Sequence, residues 1–90
     1  MKFDDAIFNW LQIAVVAEVR PDDLSAKETA DFFKKLLIED HQITTIRYER
    51  DPLIYTVYYE KDGKEEKMTF GLDLVDKLID DIEKEPKYDL

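Results

Sequence analysis

The first apolar stretch of the chain, FNWLQIAVVAEVR, begins at Phe8 and is interrupted by few polar residues. At about 100° per residue, Asp5 and Asn9 fall on one narrow side, and apolar residues occupy most of the circumference. The spacing predicts a helix over residues 4–19. A competing interpretation makes residues 13–20 a buried strand, because this segment is rich in β-branched side chains.

A second helix is predicted after a short connection. Ser25 and Glu28 have the spacing of a capping box, in which each side chain accepts a hydrogen bond from the other residue's backbone. Apolar residues then recur at helical spacing, and the pattern ends near Asp40 or His41. Because the connection through Pro21 is short, the two helices should form a hairpin.

Three later runs, ITTIRYER, LIYTVYYE and EEKMTF, predict a meander of three strands. Asp62 and Gly63 predict a type I′ turn, because that turn requires positive φ at both central residues. The turn sets a register between the second and third strands. The resulting inner face of the sheet consists of Ile46, Tyr48, Tyr55, Val57, Met68 and Phe70.

Residues 72–84 return to helical spacing and stop before Pro86, which predicts a third helix. The fold class is then α+β in the order ααβββα, with a helical hairpin and a C-terminal helix packed on a three-stranded antiparallel meander. We expect the 90 residues to form one domain. Its ends, residues 1–3 and 86–90, should be frayed.

Charge narrows the range of partners. Asp and Glu number 22 against 13 Lys and Arg, which gives a formal net charge of -9. Such a chain repels phosphate backbones and anionic lipids, so we expect neither a nucleic-acid nor a membrane partner. A winged helix-turn-helix using Lys27, Lys34 and Lys35 is disfavoured, because acids are interspersed among these lysines. The N-terminus lacks the pattern of a signal peptide, and we expect a cytoplasmic protein.

Residues that carry chemistry are scarce. The chain has no cysteine, its only serine is Ser25, and its only histidine is His41. The only two glycines are too far apart to form a phosphate-binding loop. We therefore expect a protein that is not an enzyme, with no catalytic residues, no cofactor and no metal site.

The apolar arc of the first helix is broader than one core contact needs. One hypothesis is that a face with Phe8, Trp10, Val16 and Glu18 stays partly exposed and binds a partner or a second copy. The alternative is that this helix is central and is wrapped by the other elements. Either way, Glu18 lies near the middle of the arc, where an unpaired carboxylate is costly.

Three solutions exist for Glu18. The helix can fray before Pro21, which is the least costly, or the carboxylate can pair with Arg20, Arg47 or Arg50. The third solution is a positive group on a partner.

These features predict a small acidic interaction or regulatory protein of the inhibitor, immunity or adaptor type. Its partner would be another protein, basic in character, or a second copy in a homodimer. The alternative function is a small-molecule-binding module or weak enzyme that uses the outer face of the sheet. Arg47, Tyr58 and Lys67 would form that site, since they are neighbours in the predicted register.

Overall fold

The structure is a computed structural model that describes residues 1–77. Residues 72–77 are helical and are called α3; residues 78–84 of the predicted third helix and the predicted frayed end lie outside the described residues. The order ααβββα is confirmed. The preceding elements are α1 (Phe3–Val19), α2 (Leu24–His41), β1 (Ile43–Arg50), β2 (Ile54–Lys61) and β3 (Lys64–Gly71).

The apolar N-terminal segment is a helix throughout, so the alternative of a strand over residues 13–20 is wrong. Its buried positions follow helical spacing. Phe3 was placed in the frayed end but is the first residue of α1. Its ring lies 5.3 Å from that of His41 and 5.2 Å from that of Tyr59, and these contacts hold the terminus on the fold.

The N-cap of α2 is not the residue that was predicted. Asp23, in extended backbone, is the N-cap, and its Oδ1 accepts a hydrogen bond of 3.0 Å from the backbone N–H of Ala26. Ser25 lies within the first turn, so the capping box with Glu28 is wrong. The helix ends at His41, as predicted, and Gln42 follows in the left-handed conformation, with φ of 60°.

The sheet has the strand order β1-β2-β3, and both pairs are antiparallel. Asp62 and Gly63 have φ of 55° and 78°, which confirms the predicted turn. Val57 lies opposite Met68 as predicted, and Tyr48 lies opposite Val57 on the other side. The predicted inner face is therefore confirmed. On this face, Tyr48 of β1 lies beside Tyr55 of β2.

The β1–β2 turn is held by a carboxylate. Asp51 Oδ1 accepts hydrogen bonds of 2.8 Å from the backbone N–H groups of both Leu53 and Ile54. These two bonds, that from Ile54 first, lower the pKa of Asp51 below its ordinary value of 3.8. The turn places Arg50, the last residue of β1, directly opposite Tyr55 in β2.

The core forms where the helices meet the inner face of the sheet. Ile7 and Leu11 of α1, Leu37 of α2, Val57 of β2 and Val75 of α3 are all fully buried in one cluster. α2 packs along α1, and the sheet and α3 approach α1 from other sides. Among residues 1–77, no helix is both long and apolar enough to cross a membrane.

Candidate functional site

Most of the α1 face that was predicted to bind a partner is buried. Trp10 is 7% exposed and Val16 only 2%, so neither side chain is available to a partner. Phe8 is half-buried, with its ring 5.4 Å from that of Phe70 on the sheet. The prediction of exposure is wrong for Trp10 and Val16, because α1 is the central helix that the other elements cover.

Glu18 is the one member of that set that is exposed. The helix continues intact through Val19, so the expected fraying before Pro21 does not occur. The phenolic O–H of Tyr48 instead donates a hydrogen bond to Glu18 Oε2. The carboxylate therefore has a partner from the sheet that was not among the three expected solutions, and it also reaches water.

Glu18 and Tyr48 belong to a cleft of about 520 Å³ at one end of the sheet. The last turn of α1 forms one wall, the β1 and β2 ends nearest their connecting turn form another, and α3 contributes a third. Its lining residues are Val15, Glu18, Val19, Tyr48, Arg50, Tyr55 and Asp76.

A second tyrosine–carboxylate pair lies across this cleft. The buried Tyr55 donates a hydrogen bond of 2.8 Å from its hydroxyl to Asp76 Oδ1. Burial, followed by the hydrogen bond to Asp76 and that residue's negative charge, raises the pKa of Tyr55 to about 12. The phenol therefore stays protonated at neutral pH and remains a hydrogen-bond donor.

Among the described residues, Arg50 is the cation that lines the cleft. Its Nη2 lies 3.5 Å from Asp76 Oδ2, and its guanidinium carbon lies 5.8 Å from the centroid of the Tyr55 ring. The side chain is 58% exposed, whereas that of Asp76 is 29% exposed. Arg50 is thus a partly solvated guanidinium resting against an aromatic ring and a carboxylate, the two groups that bind guanidinium in proteins.

The cleft is connected to the core by a series of aromatic rings. The Trp10 centroid lies 6.0 Å from that of Tyr48, at 73°, and the Tyr48 centroid lies 6.0 Å from that of Tyr55. Trp10 is the only tryptophan in the chain. Its fluorescence should therefore respond to changes at Tyr48 in the cleft wall.

The electrostatic balance of the lining favours cations. In the part of the lining that the structure describes, the two carboxylates of Glu18 and Asp76 accompany one guanidinium, that of Arg50, and the chain as a whole carries a net charge of -9. The half-buried ring of Tyr48 adds a negative π-face suited to a cation. In residues 1–77, no group of three or more His, Cys, Asp or Glu comes together as a metal site would require.

The alternative ligand patch on the outer face of the sheet is only partly assembled. The guanidinium carbon of Arg47 lies 4.2 Å from the Tyr58 ring centroid, and its Nη1 lies 3.0 Å from Glu49 Oε1. A recess of about 340 Å³ includes Arg47 and Tyr58 but not Lys67, although Lys67 lies opposite Tyr58 in the register. Arg47 is thus already engaged by a ring and a carboxylate of its own sheet.

The cleft contains four polar residues that the sequence did not predict as a site. Tyr48 and Tyr55 were assigned to the inner face, and Arg50 was considered only as an ion-pair partner for Glu18. The helical spacing of residues 72–84 did not single out Asp76, which is half-buried and accepts a hydrogen bond from Tyr55. The available signal was the presence of two tyrosines on an inner face, because buried phenols need acceptors.

Comparison of the chain with protein-family models, with curated proteins and with solved structures found no match.

Proposed function

We propose that this protein binds a basic segment of another protein and that the cleft is where a cationic side chain of that segment is held. The supporting observation is which oxygens of the Glu18 and Asp76 carboxylates already have hydrogen-bond partners. Among the described residues, Glu18 Oε1 has no hydrogen-bond partner. Within residues 1–77, the polar partner of Asp76 Oδ2 is Arg50, at 3.5 Å. Both oxygens can accept a donor without breaking a tyrosine hydrogen bond.

The shape of the cleft suits one side chain better than a large apolar ligand. Val19, which is 52% exposed, forms an apolar wall on which the methylene stem of a Lys or Arg can lie while the charged head reaches the carboxylates. The tyrosine hydrogen bonds hold Glu18 and Asp76 in place before binding, which reduces the side-chain entropy lost in the complex.

The charge of the whole chain supports a basic partner over a second copy. A net charge of -9 attracts a basic segment and speeds encounter, whereas two identical chains repel one another. The outer-face patch is less suited to a ligand, because Glu49 and Tyr58 already hold the Arg47 guanidinium.

The test is titration with short capped peptides that differ at one central residue, Arg, Lys or Gln, in an otherwise Gly- and Ala-containing sequence. Trp10 fluorescence and calorimetry would follow binding. We expect the two basic peptides to bind and the Gln peptide not to bind. Binding should weaken as salt is added, because charged contacts at a partly exposed site are screened.

Two double variants separate a specific site from general attraction. Glu18→Gln with Asp76→Asn should abolish binding. Glu28→Gln with Glu39→Gln makes the same change in net charge at exposed positions of α2 and should leave binding nearly unchanged. Equal losses in both double variants, or no binding of any basic peptide by the wild-type chain, would refute the proposed function.

A further inference from the structure

Two arginines of this chain lie over tyrosines, and they differ in how tightly they are held. Arg47, on the outer face, lies 4.2 Å from its ring centroid and 3.0 Å from its carboxylate oxygen. Arg50, in the cleft, lies 5.8 Å from its ring centroid and 3.5 Å from its carboxylate oxygen. The two arginine side chains are equally solvated, at 57% and 58% exposed, whereas their carboxylate partners differ, with Glu49 62% exposed and Asp76 29% exposed.

Arg50 is the more loosely held of the two arginines. At 3.5 Å, the contact of Arg50 with Asp76 is at the outer limit of a hydrogen bond, and at 5.8 Å its contact with Tyr55 is near the outer limit of a cation–π contact. An ion pair whose cation is 58% exposed contributes little to stability, because solvent screens the cation and the side chains lose entropy in forming the pair. Arg50 can therefore leave the Asp76 carboxylate at little cost.

From these contacts we infer that the cleft takes an arginine side chain of the partner and that Arg50 is a weakly held internal occupant which the incoming guanidinium displaces. The inference rests on the proposed function and names the ligand more closely. A guanidinium is planar and has five N–H donors, so it can donate to more than one carboxylate oxygen and stack on the half-buried ring of Tyr48. A lysine ammonium is a compact, strongly hydrated charge that cannot stack in this way.

Displacement predicts that removing Arg50 strengthens binding. In Arg50→Gln, the affinity for the Arg peptide should rise about two- to fivefold, the range for loss of one competing exposed ion pair. Arg47→Gln makes the same change in net charge on the opposite face of the sheet and should change affinity by less than about 1.5-fold, because distant exposed charges are screened. Arg50→Lys keeps the charge but cannot stack as well, and it should also raise the affinity.

The peptide series tests the ligand class. Wild-type protein should bind the Arg peptide more tightly than the Lys peptide, and a citrulline peptide, equal in shape but uncharged, should not bind. Equal affinity for the Arg and Lys peptides would overturn the assignment of a guanidinium ligand. Circular dichroism and urea unfolding of each variant would establish that its fold is retained.

The outcomes distinguish failure of the proposed function from failure of the inferred displacement of Arg50. Failure of every basic peptide to bind would remove the proposed function itself. Binding that weakens in Arg50→Gln would make Arg50 a contributor to the site rather than a competitor, and would overturn only the displacement. An equal rise in Arg47→Gln would attribute the gain to long-range charge and would overturn it as well.

Discussion

Replacing Tyr55 with phenylalanine removes one hydroxyl from the cleft and with it a specific dependence of stability on pH. The hydroxyl donates to Asp76 at 2.8 Å, and burial with this acceptor raises the pKa of Tyr55 from 10.0 to about 12. In the unfolded chain the phenol has its ordinary pKa. Below pH 10 both states keep the proton, and the native contact contributes fully to stability.

Between pH 10 and about 12 the unfolded chain has lost the proton while the folded chain still holds it. Unfolding then releases a proton, so the free energy of unfolding falls as pH rises. Two pKa units at about 1.4 kcal/mol each give a loss of about 2 to 3 kcal/mol across this range. In Tyr55→Phe this contribution is absent.

The assay is urea unfolding of the wild-type chain and Tyr55→Phe at several pH values from about 9 to about 12. Far-UV circular dichroism should follow it, because ionised tyrosines quench tryptophan emission. Other tyrosines and lysines also titrate here, so the difference between the two curves isolates Tyr55. At neutral pH the variant should be less stable by about 1 kcal/mol, since Asp76 is partly solvated after the loss.

Tyr58→Phe is the matched control, since Tyr58 lies on the opposite face of the same strand. It should retain the wild-type decline in stability above pH 10. The reasoning is refuted if Tyr55→Phe declines as steeply as the wild-type chain, because the buried phenol would then not be the group that holds the proton.

Two further predictions concern the fold. Leu11→Ala should lower the free energy of unfolding by about 3 kcal/mol, because it opens a cavity at a fully buried core position; Leu53→Ala, at a side chain that is 80% exposed, should have little effect in the same urea titration. Asp23→Ala should lower the free energy of unfolding by about 1 kcal/mol, because it removes the N-cap of α2. Ser25→Ala should change that free energy by less than about 0.5 kcal/mol. A larger loss in Ser25→Ala than in Asp23→Ala would instead support the capping box at Ser25.

The sheet could be predicted from local sequence to the level of register. Asp62 and Gly63 favour one turn type, and that turn fixes which residues of β2 and β3 are opposite one another. The start of α2 could not be decided in the same way. Asp23 and Ser25 are both good N-cap residues, and local propensity does not separate helix starts two residues apart.

The candidate site was predictable only in part. Glu18 was recognised because a carboxylate within an apolar arc needs a partner. Its partner, Tyr48, lies 30 residues further along the chain, and Asp76 lies 21 residues after Tyr55. Such pairs depend on how α1 and α3 cross the end of the sheet. The periodicity of residues within one helix or strand does not predict how that element crosses another.

The sequence by itself determined the order of the elements, the inner face of the sheet and the negative charge, because each depends on local spacing or on composition. Tertiary structure alone decided which side of α1 stays exposed. Packing of α2, the sheet and α3 buried Trp10 and Val16 and left Glu18 at the rim of a cleft. Helical periodicity shows that a wide arc is apolar, but only the number of neighbouring elements determines how much of that arc is covered.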